Sequence, residues 1–211
     1  MCSESVHDYY APVTAKPTAM RVGPEAIKIL AHPLRSRLLS ALRQSGPASA
    51  TTLAGALGTN SGATSYHLRK LAAVALVVDT EAGIGKERLW AAAAEESHLD
   101  ASDMANDEDA ETALGWLTRD WLRHFAEKYS AWLDVESSWP TPWRDAAGMN
   151  DAGVLVTAEQ LRALHAEITD VIHRYRMVGQ GNPEAKRVSI NHTSYPIDLT
   201  KRPRGTGERS R

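Results

Sequence analysis

Residues 49–73 read SATTLAGALGTNSGATSYHLRKLAA, and this stretch decides the fold. Ser49 is placed to cap a helix over 50–57, whose inner face is Leu53, Ala54 and Leu57. Gly58 ends that helix, and Thr59 and Asn60 form a turn. Asn60 or Ser61 then caps a second helix running to 73. Two short helices joined by a tight Gly-containing turn are the helix-turn-helix pattern. At about 100° per residue, Thr64, Leu68, Leu71 and Ala75 of the second helix cluster within about 60° and face inward. The opposite side carries Gly62, Tyr66, Arg69, Lys70 and Ala73, flanked by Ala63 and Ser65, with Ser61 at the start. Small residues let such a helix approach base edges in a DNA major groove. Arg69 and Lys70 can reach bases or phosphates, and Tyr66 and Ser65 can contribute to sequence readout. His67 points toward the buried side, so packing and hydrogen bonding are expected of it, not base contact.

Upstream, Pro24 opens a short helix over 24–31, and Pro33 opens another over 34–44 with a stripe of Leu34, Leu38, Leu39 and Leu42. Gly46 and Pro47 stop it. Downstream, a strand over 76–80, a turn over 82–85 and a returning strand over 87–92 make a hairpin, with Lys86 and Arg88 beside Gly83 and Gly85. A hairpin directly after a helix-turn-helix is a wing, suited to lie on a phosphate backbone or in a minor groove. The fold class expected is mainly α: a winged helix-turn-helix plus a C-terminal helical or α+β module.

The rest of the chain divides by composition. Residues 1–22 read as a flexible arm, 23–94 as the winged unit, and 95–111 as an acidic, solvated linker. Residues 112–199 read as a dimerisation module that can also take a small-molecule effector, and 200–211 as a disordered basic tail. Within the module, a long helix over 112–138 carries Leu114, Leu117, Trp121, Phe125, Trp132 and Val135. Residues 139–143 (WPTPW) break it. A short strand is expected at 154–156, a Thr157-capped helix at 158–176, and another strand at 187–191. The late helix has Leu161, Leu164, Ile168, Val171 and Ile172 inside.

The chain has 211 residues and a net charge of only −2, but the charge is unevenly spread. Residues 21–93 carry a balance of +5, residues 95–176 a balance of −10, and residues 177–211 a balance of +4. A basic segment beside an acidic one suggests that one part meets a polyanion. The single cysteine, Cys2, excludes an intramolecular disulfide and any multi-cysteine metal site. There is no apolar run of the roughly 20 residues needed to span a membrane, and no secretory signal at the start. A cytoplasmic protein without a membrane partner is expected.

HPLRSRLLSAL (32–42), TLAGALGTNSGATSYHLRKLA (52–72) and the hairpin ending GKERLW (85–90) resemble winged-helix regulators of the ArsR type. One branch of that type has S-x-S-Y-H-L-R-x-L on its recognition helix, which 63–71 resemble, and G-x-G-R-E-R-x-W on its wing, which 83–90 resemble. The resemblance spans about 70 residues. It implies a homodimer on a roughly palindromic site, one recognition helix per half-site. Three departures stand out. Ala75 occupies a position where the family has Gly, and that position wants a left-handed backbone. Residues 50–57 lack the Cys pair of metal-sensing members. Residues 112–199 lie outside the family's compact domain.

Other chemistries compete with this one. His98, Asp100, His165, Asp170 and His173 are metal-ligand types, but His165 and His173 are about 12 Å apart along one helix and cannot share an ion within it. No metal or other cofactor is therefore expected. Trp116, Trp121, Trp132, Trp139 and Trp143 could wall an effector pocket, although packing in a core or dimer explains them as well. There is no Gly-rich phosphate loop, nucleophile elbow or spaced acid–base pair, so enzyme activity is not expected. The reading is a DNA-binding transcriptional regulator, a repressor rather than an activator. A winged helix used only for protein–protein contact is the alternative.

Overall fold

The computed structural model describes residues 18–83 and 87–200. They fall into two compact units, one ending at Val178 and the other beginning at Gly179. The first unit contains β1 (Ala19–Arg21), α1 (Pro24–Leu30), α2 (Pro33–Ser45), β2 (Ala48–Ser49), α3 (Ala50–Ala56) and α4 (Ser61–Ala72). It continues with β3 (Val77–Asp79), β4 (Leu89–Ala92), β5 (Glu96–His98), α5 (Glu108–Leu133), α6 (Thr141–Ala146) and α7 (Ala158–Tyr175).

The winged helix-turn-helix is present as expected, followed by a helical C-terminal module. Leu38, Leu39 and Leu42 of α2 meet Ile27 and Leu30 of α1, Leu53 of α3, and Leu68 and Leu71 of α4 in one core. Full burial of each such side chain contributes about 1.5–3 kcal/mol. The wing sheet is antiparallel in the order β2-β4-β3, with Val77 opposite Ala92, and Trp90 opposite both Ala48 and Asp79. The strand β2 is absent from the sequence reading because two residues are too few to reveal a period of two.

The expected arm and linker are corrected in part. Residues 19–21, assigned to the arm, pair in parallel with residues 96–98, assigned to the linker. Thr18 O also accepts the amides of Glu95 and Glu96. Backbone groups can pair while charged side chains point outward, so acidity does not preclude a strand. The same acidic run contains Met104 and Ala110, both fully buried against the main core.

The long helix begins at Glu108, four residues earlier than expected, because Asp107 caps it by accepting the Ala110 amide. Acidic residues in its first turn complement the helix dipole. It ends at Leu133, short of 138. Its N-terminal half joins the winged core through Leu117. The buried Asp120 there pairs with Arg37 of α2 at 3.3 Å, and Trp121 Nε1 donates to Ser36 Oγ at 2.8 Å.

The late helix, α7, starts with the capping box Thr157–Gln160. Near its C-terminal end, His173 contacts Glu96 and Arg176 contacts Glu95. Residues 154–156 are not a strand: they are exposed, with no ladder to satisfy them. In the second unit, residues 187–191 also form no strand, and the described residues there contain turns but no helix or ladder. Residues 1–17 and 201–211 of the expected arm and tail lie outside the described residues.

Candidate nucleic-acid interface

The second helix of the helix-turn-helix, α4, is fixed at both ends by local chemistry. Gly58 adopts φ +62°, the left-handed turn that frees the chain from α3. Asn60 then caps α4, its Oδ1 accepting the Ala63 amide at 2.8 Å. Thr64 is fully buried but satisfied, because its hydroxyl donates to Asn60 O at 3.0 Å.

At the far end, Leu76 N–H bonds to Leu71 O and Ala75 N–H bonds to Ala72 O, both at 3.0 Å. This is a Schellman turn, with Ala75 at the left-handed position and φ 56°. The conformation expected where the family has Gly is therefore adopted by Ala. Ala75 is exposed, which corrects its placement on the buried stripe. The helix has already ended there, and Leu76 takes the buried place beside Leu71.

The outward face is now defined. Ser61, Gly62, Arg69 and Lys70 are exposed, Ala63 and Ser65 are half-buried, and Tyr66 is 50% exposed. Lys70 Nζ lies 5.7 Å from the Tyr66 ring centroid, within cation–π range. Arg69 Nε donates to Ser65 O at 3.2 Å. Among the described residues neither cation forms an ion pair with a carboxylate, so both charges remain available to an external anion.

In the wing, Lys86 lies outside the described residues together with Ile84 and Gly85. The exposed Arg88 is paired with Asp79 of β3 at 3.4 Å. Gly83 has a steric reason to be glycine: a Cβ there would lie 1.8 Å from Glu87 O.

Beneath the outward face, His67 stacks on His32 with ring centroids 4.5 Å apart, and Tyr66 meets His67 edge-on at 5.1 Å. Burial, then the charge of Arg35, lowers the His67 pKa. The His32 pKa is lowered by burial, then by Arg35 and His67. His32 Nδ1 accepts the Leu34 amide and caps α2. His67 packs as its wheel position requires, but its buried Nδ1 has no hydrogen-bond partner among the described residues. The expected hydrogen-bonding role is thus missing at that atom. Arg35 Nε donates to Ile29 O at the end of α1. Sequence reasoning missed His32 and Arg35 as neighbours of the face, since nothing in 32–35 shows that the start of α2 meets the middle of α4.

The remaining candidate groups separate in space. Trp116 and Trp121 pack on the main core, whereas Trp132, Trp139 and Trp143 stack edge-to-face at 5.1 and 5.9 Å. The five do not wall one pocket. An open groove of about 320 Å³ lies between Lys28 of α1, with the following Ala31, and Asp109, Thr112 and Trp116 of α5. Among the described residues no three His, Cys, Asp or Glu side chains cluster as a metal site, and no helix is long and apolar enough to cross a membrane.

A family model described as a helix-turn-helix domain matches residues 30–80, about a quarter of the chain. The match runs from the end of α1 through α4 into the first wing strand. No curated protein matches the chain. Sequence match and geometry together place a helix-turn-helix of the DNA-binding regulator type here.

Proposed function

We propose that this protein is a sequence-specific, double-stranded-DNA-binding transcriptional repressor that works as a homodimer. Its α4 enters the major groove, and its wing lies on the backbone or in the adjacent minor groove. The observation that carries this reading is the outward face of α4. Small residues stand at its N-terminal end, Tyr66 projects from its middle, and Arg69 and Lys70 have no carboxylate partner among the described residues. A merely solvated face gains nothing from that arrangement, whereas a groove lined by base edges and phosphates satisfies each part of it. The resemblance to ArsR-type regulators at 63–71 and 83–90 supports the same reading. The dimer reading rests on the far part of α5 and the turn after it, where Leu122, Leu133 and Val135 are each nearly half exposed. Exposed apolar side chains of this kind are suited to packing on a twin.

The test is selection of bound sequences from random duplexes with the purified protein. A palindromic consensus is the expected result. Tyr66→Ala changes the selected consensus more than the bulk affinity. Lys70→Gln weakens all duplexes alike and reduces the salt slope by about one. Absence of duplex binding, or binding indifferent to both variants, refutes the assignment and favours a protein-contact role.

A further inference from the structure

Arg35 is a cation with no carboxylate partner among the described residues. It is half-buried. Its Nε is committed to Ile29 O, which fixes the plane of the guanidinium and leaves the two terminal amino groups for another acceptor. A partly desolvated charge left in this state is unfavourable until an anion approaches it. The guanidinium is close enough to His32, His67 and Tyr66 to act on each electrostatically. Three elements converge here: the end of α1, the start of α2 and the middle of α4. Tyr66 carries the cluster to the outward face, where Lys70 Nζ lies 5.7 Å from its ring centroid.

We propose that Arg35, backed by the His32–His67 stack and bordered by Tyr66, is a seat for a backbone phosphate of duplex DNA. This proposal rests on the DNA-binding reading above and adds a contact from α2 to those of α4 and the wing. A planar, pre-oriented fork suits a phosphate bidentately, and a contact anchored on a second helix fixes the angle at which α4 enters the groove. The imidazoles supply an internal reporter. Burial and the Arg35 charge disfavour the protonated form of both, and a phosphate on Arg35 offsets that charge.

Two measurements test the seat. In the first, duplex affinity is followed against salt for the wild type, Arg35→Gln and Arg35→Lys. Arg35→Gln is expected to weaken specific and nonspecific duplexes by the same factor and to lower the salt slope by about one. Arg35→Lys is expected to keep the slope. An Arg35→Gln protein with wild-type affinity and slope overturns the proposal. The second measurement uses only the wild type, so it stands even if a variant fails to fold. The imidazole resonances of His32 and His67 are titrated with pH, with and without duplex. An upward shift of about one unit on duplex binding is expected, and unchanged titration overturns the seat. The same shift from inorganic phosphate at equal phosphate concentration assigns the site to free anions and overturns the DNA assignment. If the wild type binds no duplex, the functional reading falls together with the seat. If Tyr66→Ala and Lys70→Gln behave as stated while Arg35→Gln and the imidazoles do not, only the seat falls.

Discussion

Replacing Ala75 by glycine is expected to stabilise this protein, although Ala→Gly ordinarily destabilises one. Ala75 sits at φ 56° in the turn that ends α4. An L-residue with a Cβ is disfavoured there by about 1–2 kcal/mol, a cost glycine escapes. Glycine also loses more conformational freedom on folding, which costs about 0.5–1 kcal/mol. The difference leaves Ala75→Gly more stable by about 0.5–1 kcal/mol. The neighbouring Ala73 supplies the control, since it is also exposed but has right-handed φ −61° and ψ −21°. Both substitutions alter the unfolded chain in nearly the same way. The gap between them therefore reports the native backbone, and it should be about 1–2 kcal/mol. Urea denaturation of the wild type and both variants, read at the midpoint with an unchanged m-value, measures it. If Ala75→Gly destabilises as much as Ala73→Gly, the left-handed turn is not present in solution, and the path from α4 into the wing is wrong.

Asn60→Ala is expected to cost about 1 kcal/mol by removing the cap of α4, whereas Asn60→Gly costs only a few tenths; equal losses in urea denaturation would deny the capping role. Asp120→Ala removes a carboxylate that is only 3% exposed. It leaves the half-buried Arg37 without its partner, at a cost of about 2–3 kcal/mol that thermal or urea unfolding detects. Acid sensitivity follows from the histidines. The folded-state pKa values of His32, His67 and His124 are lowered from 6.5, so the unfolded chain binds more protons once pH falls below that value. The histidine contribution to stability is full well above pH 6.5 and is lost as pH falls through about 6.5 and below, and His67→Gln makes that decline shallower. Parallel pH profiles for the two proteins would show that His67 titrates alike in the folded and unfolded states.

The legible parts of this chain were those governed by neighbours within a few residues. The caps Ser49, Asn60 and Thr157, the stop at Gly58 and the division of α4 into buried Thr64, Leu68 and Leu71 and exposed Tyr66, Arg69 and Lys70 are local events. A helix has one period, so spacing alone sorts its faces. The strands at 154–156 and 187–191 failed for the complementary reason: a run of β-forming residues becomes a strand only when another segment supplies hydrogen bonds. Residues 19–21 and 96–98 found such partners across 77 positions, and no property of either segment announced the other.

The sequence by itself determined the helix-turn-helix, the outward face of its second helix and the left-handed position at Ala75, because backbone geometry, capping and helical period are local. Only the tertiary structure decided that the acidic run from 95 closes on the N-terminal segment and anchors α5 through Met104 and Ala110. Only there, too, does the start of α2 bring His32 and Arg35 beneath Tyr66 and His67. Contacts between segments far apart in the chain depend on how whole helices pack, and a pattern within one helix does not contain that information.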